Sequence, residues 1–260
     1  MLRFHAIGQW QPGQVSLRWV PSTHQLSPEV SRLVDREWAA ARQRLGERLF
    51  DGPVCRLESF QSGPQNLELQ ISRSSYRLFL GTNLYHPELA DTLGWPALAN
   101  AIGVSTALVS ADGLLMLGRR NDSVAYYPNR VHPFAGALEA RDPLDLFDEA
   151  RRELHEELSL KATELADLCC LGLVEDALLR QPELIVRVRT SLSAAQLAAQ
   201  VDRAEHDAAW PIAADRQATE SVLSQTDLLS PVGLATVLLW GQQAFGQQWF
   251  QRAAQPLLAR

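Results

Sequence analysis

The sequence predicts an α+β fold in which a mixed sheet follows a small α+β N-terminal domain. Segments of strand-like alternation and segments of helical periodicity follow one another without the strict strand–helix–strand repeat of a parallel α/β protein. The composition is that of a globular protein, since 46% of the 260 residues are hydrophobic and 21% are charged. The breakers Pro87, Gly94 and Pro96 indicate a boundary between an N-terminal domain, residues 1–95, and a larger domain, residues 96–260.

The smaller domain is predicted to contain strands around one helix. Residues 1–22 alternate weakly and predict one or two strands. Ser27-Pro28-Glu29 is typical of a helix start, because it supplies an N-cap, a proline at the first helical position and an acid in the first turn. Asp51-Gly52-Pro53 ends this helix. Strands are then expected at Cys55–Phe60 and Leu67–Ile71.

The larger domain begins with a predicted hairpin. Val104–Ser110 and Leu114–Gly118 flank an Asp-Gly turn, which is a strong short-range signal for two antiparallel strands. A helix follows from about Pro143 to Leu158, with Asp142 as its expected N-cap. The remaining elements are predicted strands at Cys170–Glu175 and Leu184–Thr190 and predicted helices at Leu192–Ala204 and Pro231–Leu258.

The composition excludes several classes of function. The net charge of −6 argues against nonspecific nucleic-acid binding. The three cysteines, Cys55, Cys169 and Cys170, have neither the pattern of a disulfide framework nor the Cys-x-x-Cys spacing of a zinc ribbon. No apolar run approaches the roughly 18–20 residues that span a bilayer, and residues 1–10 lack the apolar core of a signal peptide. We therefore expect a cytoplasmic protein that binds neither nucleic acid nor membranes.

An acidic row on the helix around residues 143–158 carries the chemistry. Glu153, Glu156 and Glu157 stand at positions i, i+3 and i+4, so their carboxylates converge above one face of the helix. A solvated acidic face is the commoner fate of such a run. Here, however, the acids flank the apolar stripe of the helix and do not oppose it. Hard divalent cations prefer several carboxylate oxygens, so we predict a site for Mg²⁺ or Mn²⁺.

The same segment resembles the signature of the Nudix hydrolases. That signature has a glycine, an acid six residues later, and then Arg-Glu-apolar-x-Glu-Glu-x-Gly-apolar. Gly136 matches the first glycine, and residues 152–160 match the second half. Three positions depart from it: Asp142 replaces a glutamate, the spacer from Asp142 to Arg152 is two residues longer, and Ser159 replaces a glycine. The resemblance implies the α/β/α sandwich of that family.

Two further segments are similar to one branch of the family, which includes UDP-glucose/UDP-galactose pyrophosphatases. Residues 75–83 resemble a Tyr-Arg-x-Phe-x-Gly-Thr-Asn segment, and Arg119-Arg120 resembles a pair at the end of the hairpin. The implied reaction is hydrolysis of a nucleoside diphosphate sugar, giving UMP and sugar 1-phosphate from UDP-glucose or UDP-galactose. Two alternatives stay open: hydrolysis of ADP-ribose or coenzyme A, and a noncatalytic nucleotide-binding module. The oligomeric state is not determined by the sequence.

The resemblance also assigns roles to individual residues. The implied metal ligands are Glu153, Glu156, Glu157 and the backbone carbonyl of Ala135. Arg152 would orient Glu153 through a charge-assisted hydrogen bond. Seven residues are expected to contact the substrate, with the N-terminal domain closing over it: Tyr76, Thr82, Asn83, Arg119, Arg120, Gly136 and Glu139.

The general base has three candidates. A water that attacks phosphorus must lose a proton, so a carboxylate or a metal-bound hydroxide must lie within one water of it. Glu153 is the candidate on the helix. Glu205 and Asp207 are candidates in a predicted loop, and a solvated loop is the alternative for these two residues.

Overall fold

The computed structural model describes residues 2–46 and 49–258, which form eleven strands and eight α-helices. The strands are β1 (Leu2–Trp10), β2 (Val15–Trp19), β3 (Pro53–Ser62), β4 (Leu67–Ser75), β5 (Gly103–Val109), β6 (Leu115–Arg120), β7 (Val131–His132), β8 (Phe134–Ala137), β9 (Leu165–Asp176), β10 (Gln181–Thr190) and β11 (His206–Ile212). The helices are α1 (Pro28–Leu45), α2 (Tyr76–Phe79), α3 (Leu89–Leu93), α4 (Leu146–Leu158), α5 (Ala194–Gln200), α6 (Arg216–Ser224), α7 (Pro231–Phe245) and α8 (Gln247–Leu258).

The larger of two sheets is mixed, as the sequence predicts. Its main path runs β1-β9-β10-β5-β6-β11, and the short strands β8 and β7 pair with β5 and β6. β10 and β5 are parallel, whereas the other neighbours are antiparallel. This order brings β8, the strand that carries Ala135 and Gly136, to the side of β5 at the start of the parallel pair.

Helices cover both faces of this sheet. Along β5, Val104 and Leu108 join the core that contains the apolar stripe of α4, while Ala107 and Val109 join the core beneath α7 and α8. Because successive strand residues face opposite sides, one strand supplies both cores. The predicted α/β/α sandwich is therefore confirmed. In the two ranges above, no helix combines the length and the apolarity needed to cross a membrane.

The N-terminal residues are divided between the two sheets, and the domain boundary at residue 95 stays a prediction. β2, β4 and β3 form a separate three-stranded sheet, but β1 pairs with β9 at the edge of the large sheet. Leu57, Leu67 and Ile71 of the small sheet also share a buried core with Val104 and Leu154. The alternation within β1 predicts a strand, but it carries no information about which distant edge that strand joins.

Three element boundaries differ from the sequence prediction. α4 begins at Leu146 and its N-cap is Asp145, so the expected cap at Asp142 was wrong. The predicted C-terminal helix is two helices, because Gly246 adopts a φ of 86° between α7 and α8. The predicted loop through Glu205 and Asp207 contains the start of β11, which pairs with β6. This pairing is nonlocal, and the local sequence does not reveal it.

Candidate active site

The two ends of α4 are both well capped. At its start, the Asp145 carboxylate accepts hydrogen bonds from the backbone N–H groups of Phe147 (2.8 Å) and Asp148 (3.0 Å). At its end, Ser159 takes the left-handed conformation with a φ of 55°, where the family signature has glycine. The helix between them is continuous, and it places Glu153 and Glu157 one turn apart on the side that faces β8.

Glu153 and Glu157 are held against the backbone of β8. Both are buried, each with 6% of its surface exposed. A Glu157 oxygen accepts a hydrogen bond of 3.1 Å from the Ala135 N–H. The Glu153 carboxylate lies so close to Gly136 that a Cβ atom there would be 2.3 Å from its Oε1. Gly136 therefore permits the close approach of helix and strand.

Burial disfavours the ionised forms of the Glu153 and Glu157 carboxylates. Burial raises the pKa of Glu153 to about 8; the nearby Arg152 opposes this change, and the Glu157 carboxylate adds to it. The pKa of Glu157 is also raised well above its usual range, first by burial and then by Glu205. A divalent cation would offset the repulsion among these acids. Oxygen donors at this density thus fit a hard cation.

Arg152 contacts Glu153, as predicted, and also bridges three other acids. Its guanidinium lies 3.2 Å from Glu149, 2.7 Å from Glu156 and 3.7 Å from Glu139, and it contacts the neighbouring Glu153 directly. Glu149 is buried, and it was not among the partners predicted for Arg152. Glu156 and Glu139 are about half exposed and lie on the outer side of this cluster. Glu156 nevertheless shares the Arg152 guanidinium with Glu153, and its charge contributes to the raised pKa of both buried glutamates.

The late acidic segment contributes Glu205 and His206 to the site. One oxygen of Glu157, one oxygen of Glu205 and one ring nitrogen of His206 lie within 4.8 Å of one another. His206 is fully buried, whereas the neighbouring Asp207 is exposed. Asp207 is not a member of this cluster. The sequence analysis missed His206, although its position directly after Glu205 was a usable signal.

A cleft of about 800 Å³ opens beside these residues. Arg120, Tyr126, Ala135, Gly136 and Glu205 line this cleft. Apolar and aromatic side chains from the N-terminal part of the chain also line it, among them Phe50, Val54, Tyr76 and Phe79. Mixed apolar and polar walls around a few convergent polar groups are typical of small-molecule sites. Of the predicted contacts, Tyr76, Arg120 and Gly136 line this cleft.

The two arginines at the end of β6 have different environments. Arg119 is exposed, whereas Arg120 is 5% exposed and its guanidinium lies 4.8 Å from the centre of the Tyr126 ring. The Arg120 Nε atom is buried and has no hydrogen-bond partner among the described residues. A buried cation with unused donors at a cleft is suited to bind an anion. Arg120 is thus the member of the pair that the structure places at the site.

Thr82 and Asn83, expected to bind substrate, lie instead inside the protein. Both are 0% exposed, and neither lines the cleft. The Asn83 amide donates to the carbonyls of Leu179 (3.1 Å) and Arg180 (3.0 Å) and accepts from the N–H of Asn100 (3.0 Å). Thr82 similarly bonds to backbone groups at Leu78 and Ala99. The expectation of direct substrate contact therefore finds no support at these two positions.

Comparison with known proteins agrees with the resemblance found in the sequence. No family model matches the chain. The chain is 32% identical over 161 residues to the mouse uridine diphosphate glucose pyrophosphatase NUDT22, which covers 51% of this chain and 52% of the relative. The human protein of the same name is 33% identical over 174 residues, which cover 58% and 55%. The resemblance to Nudix hydrolases is confirmed. The chain spans about half the length of these relatives.

Solved structures with a similar arrangement include DR0079 from Deinococcus radiodurans and a Nudix hydrolase from Nitrosomonas europaea. The first has a TM-score of 0.43 and 15% identity over 56% of this chain and 83% of its own. The second has a TM-score of 0.39 and 11% identity over 55% of this chain and 90% of its own.

Proposed function

We propose that the protein is a Nudix hydrolase that cleaves the pyrophosphate of a nucleoside diphosphate sugar, with UDP-glucose or UDP-galactose giving UMP and sugar 1-phosphate. The observation that carries this proposal is the convergence of three carboxylates, Glu153, Glu157 and Glu205, beside a cleft that also contains the unpaired donors of Arg120. The activity named for the mouse and human relatives supports the choice of a UDP-sugar.

The carboxylates of Glu153, Glu157 and Glu205 form the oxygen-rich part of the proposed cation site. We assign Glu153 and Glu157 as ligands, with Glu205 and the carbonyl of Ala135 completing the set. Mg²⁺ or Mn²⁺ bound there would neutralise charge on the pyrophosphate and lower the pKa of a coordinated water. Arg152 positions Glu153 by direct contact, so that the carboxylate keeps one orientation toward β8.

Arg120 binds the substrate phosphate in this proposal. Its side chain is held by the Tyr126 ring and by the surrounding core, so few rotamers are lost when an anion binds. Its guanidinium offers forked donors that match two phosphate oxygens. The aromatic and apolar wall with Tyr76 and Phe79 can then pack against the nucleoside.

A substrate panel tests the proposed reaction. The full chain is incubated with UDP-glucose, UDP-galactose, ADP-ribose and coenzyme A in Mg²⁺ or Mn²⁺, and released nucleotides are measured. UMP should form from the UDP-sugars, and EDTA should abolish it. Faster release of AMP from ADP-ribose would indicate ADP-ribose, and not a UDP-sugar, as the substrate. Nucleotide binding without any hydrolysis would favour the noncatalytic module.

A pair of matched variants tests whether Glu205 or Asp207 controls the loss of the proton from the attacking water, either as the base or as a ligand of the cation that would bind this water. Glu205 lines the cleft and Asp207 does not, so Glu205→Gln should lower turnover and remove the acidic limb of the pH–rate profile, whereas Asp207→Asn should match the wild type. If both variants keep the wild-type profile, Glu153 becomes the candidate base. A larger loss in Asp207→Asn would contradict the placement of these two residues.

A further inference from the structure

His206 occupies an enclosed position next to the acidic cluster. It is the first residue of β11, opposite Arg120 of β6 in the sheet register, and it is 0% exposed. Its ring packs edge-on against Phe134, with a centroid distance of 5.1 Å. On the other side its Nδ1 faces Gly118, where a Cβ atom would be 2.3 Å away. The imidazole is therefore confined between a ring and a backbone, with little freedom to turn.

The ring nitrogens of His206 have no hydrogen-bond partner among the residues that the structure describes. Oε1 of Glu157 lies 3.6 Å from Nε2. Native proteins satisfy nearly all of their buried polar groups, and an unsatisfied one indicates a missing water, ion or ligand. Here Nε2 lies beside the Glu157 carboxylate, and a Glu205 oxygen belongs to the same group of potential ligand atoms.

We propose that Nε2 of His206 is a nitrogen ligand to the divalent cation, together with the carboxylates of Glu157 and Glu205. One potential ligand atom from each residue already lies within 4.8 Å of the others. The neutral imidazole would use its Nε2 lone pair, and Nδ1 would carry the proton. This inference rests on the proposed function only in assuming that the site binds a cation.

A nitrogen ligand changes which cation the site prefers. Imidazole suits transition metals, whereas Mg²⁺ prefers oxygen donors and retains its waters. The site should therefore bind Mn²⁺ and Co²⁺ more tightly than Mg²⁺, by a margin that depends on His206. The neighbouring Arg120 guanidinium stays available to the anionic substrate, because it has no carboxylate partner within salt-bridge distance among the described residues.

Pulsed electron paramagnetic resonance of bound Mn²⁺ tests the assignment. The full chain is loaded with Mn²⁺ alone, without nucleotide. A ¹⁴N coupling should appear and should change when the protein is labelled with ¹⁵N-histidine. His206→Gln should lose this coupling and raise the dissociation constant for Mn²⁺ at least about tenfold. Its affinity for Mg²⁺ should change less than its affinity for Co²⁺.

His155→Gln is the matched control. His155 lies two residues before Glu157, but it is exposed and bonds to the carbonyl of Leu160. This variant should keep both the nitrogen coupling and the Mn²⁺ affinity. If His206→Gln does not fold, the labelled wild-type protein still decides whether a histidine nitrogen binds the ion.

Two results overturn the inference in distinguishable ways. Mn²⁺ that binds to the wild-type protein without nitrogen coupling would show an all-oxygen site, and the proposed pyrophosphatase function would stand. A wild-type protein that binds no Mn²⁺ or Mg²⁺ would remove the His206 ligand and the metal-dependent function together.

Discussion

Helix α4 and the π-helical turn Leu80–Leu84 both resemble family motifs and both bury polar side chains. Only α4 contributes side chains to the candidate site. The turn buries Asn83 with three backbone hydrogen bonds. α4 buries Glu157 with one backbone hydrogen bond and other acids nearby. A buried polar group with incomplete hydrogen bonds therefore indicates a candidate site, whereas a fully hydrogen-bonded polar group stabilises the fold.

The satisfied segment connects distant parts of the chain. Asn83 joins the turn after α2 to the loop between β9 and β10 through Leu179 and Arg180, and to the segment before β5 through Asn100. These contacts hold the wall that carries Phe79 against the large sheet. Asn83 thus influences the cleft through the fold, without touching its interior.

The largest expected effect is on catalysis at α4. Glu157→Gln should lower turnover of UDP-glucose at least about a hundredfold, a typical loss for one group that stabilises transition-state charge. The measurement is UMP release at saturating Mg²⁺. Asp148→Asn is the control, because this exposed acid on the same helix pairs only with Arg151 among the described residues. Full activity in Glu157→Gln would exclude α4 as the catalytic element.

The opposite outcome is expected for the satisfied segment. Asn83→Ala should lower the free energy of unfolding by about 2–3 kcal/mol, since it leaves buried backbone carbonyls and an N–H unpaired. Folded Asn83→Ala should keep the wild-type turnover and Michaelis constant. Urea unfolding and steady-state kinetics measure the two quantities. The control is Asn66→Ala, an exposed asparagine. Unchanged stability with a raised Michaelis constant would indicate that Asn83 contacts the substrate.

The arginine pair extends the comparison to two adjacent residues. Arg120→Gln should raise the Michaelis constant for UDP-glucose about tenfold, because a charge-assisted bond to phosphate is lost. Arg119→Gln makes the same change on the exposed side of the strand and should leave both kinetic constants unchanged. Equal effects in the two variants would mean that the burial difference has no bearing on substrate binding.

A pH-dependent effect on stability is expected for Glu183, a buried acid of β10 whose side chain has one hydrogen-bond partner among the described residues. It accepts a hydrogen bond of 2.6 Å from Ser105, and burial raises its pKa to about 8. Between pH 4.5 and 8 the unfolded chain loses this proton while the folded protein retains it, so the free energy of unfolding falls as the pH rises. Glu183→Gln removes this dependence.

The unfolding free energy of the Glu183→Gln protein should therefore rise relative to that of the wild type as the pH increases from 4.5 to 8. Thermal or urea unfolding across this range measures the difference. A constant difference at all pH values would show that the pKa of Glu183 is the same in the folded and unfolded states.

Local sequence accounted for much of α4 and little of its surroundings. The spacing of Glu153 and Glu157 and the apolar stripe beside them follow from helical periodicity over a few residues. The contact between Arg152 and Glu153 was implied only by the family resemblance. The hairpin of β5 and β6 likewise follows from its Asp-Gly turn. By contrast, β11 was predicted as a loop, since its pairing with β6 joins residues that are far apart along the chain.

The sequence by itself determined that Arg119 and Arg120 would face opposite sides once they lay in a strand, because the side-chain period of a strand is two. It could not determine which side would meet the cleft. Only the tertiary structure decided that Arg120, Glu205 and His206 lie at the site and that Asn83 does not. The reason is that those positions depend on sheet pairings and helix packing between distant segments, which no local pattern encodes.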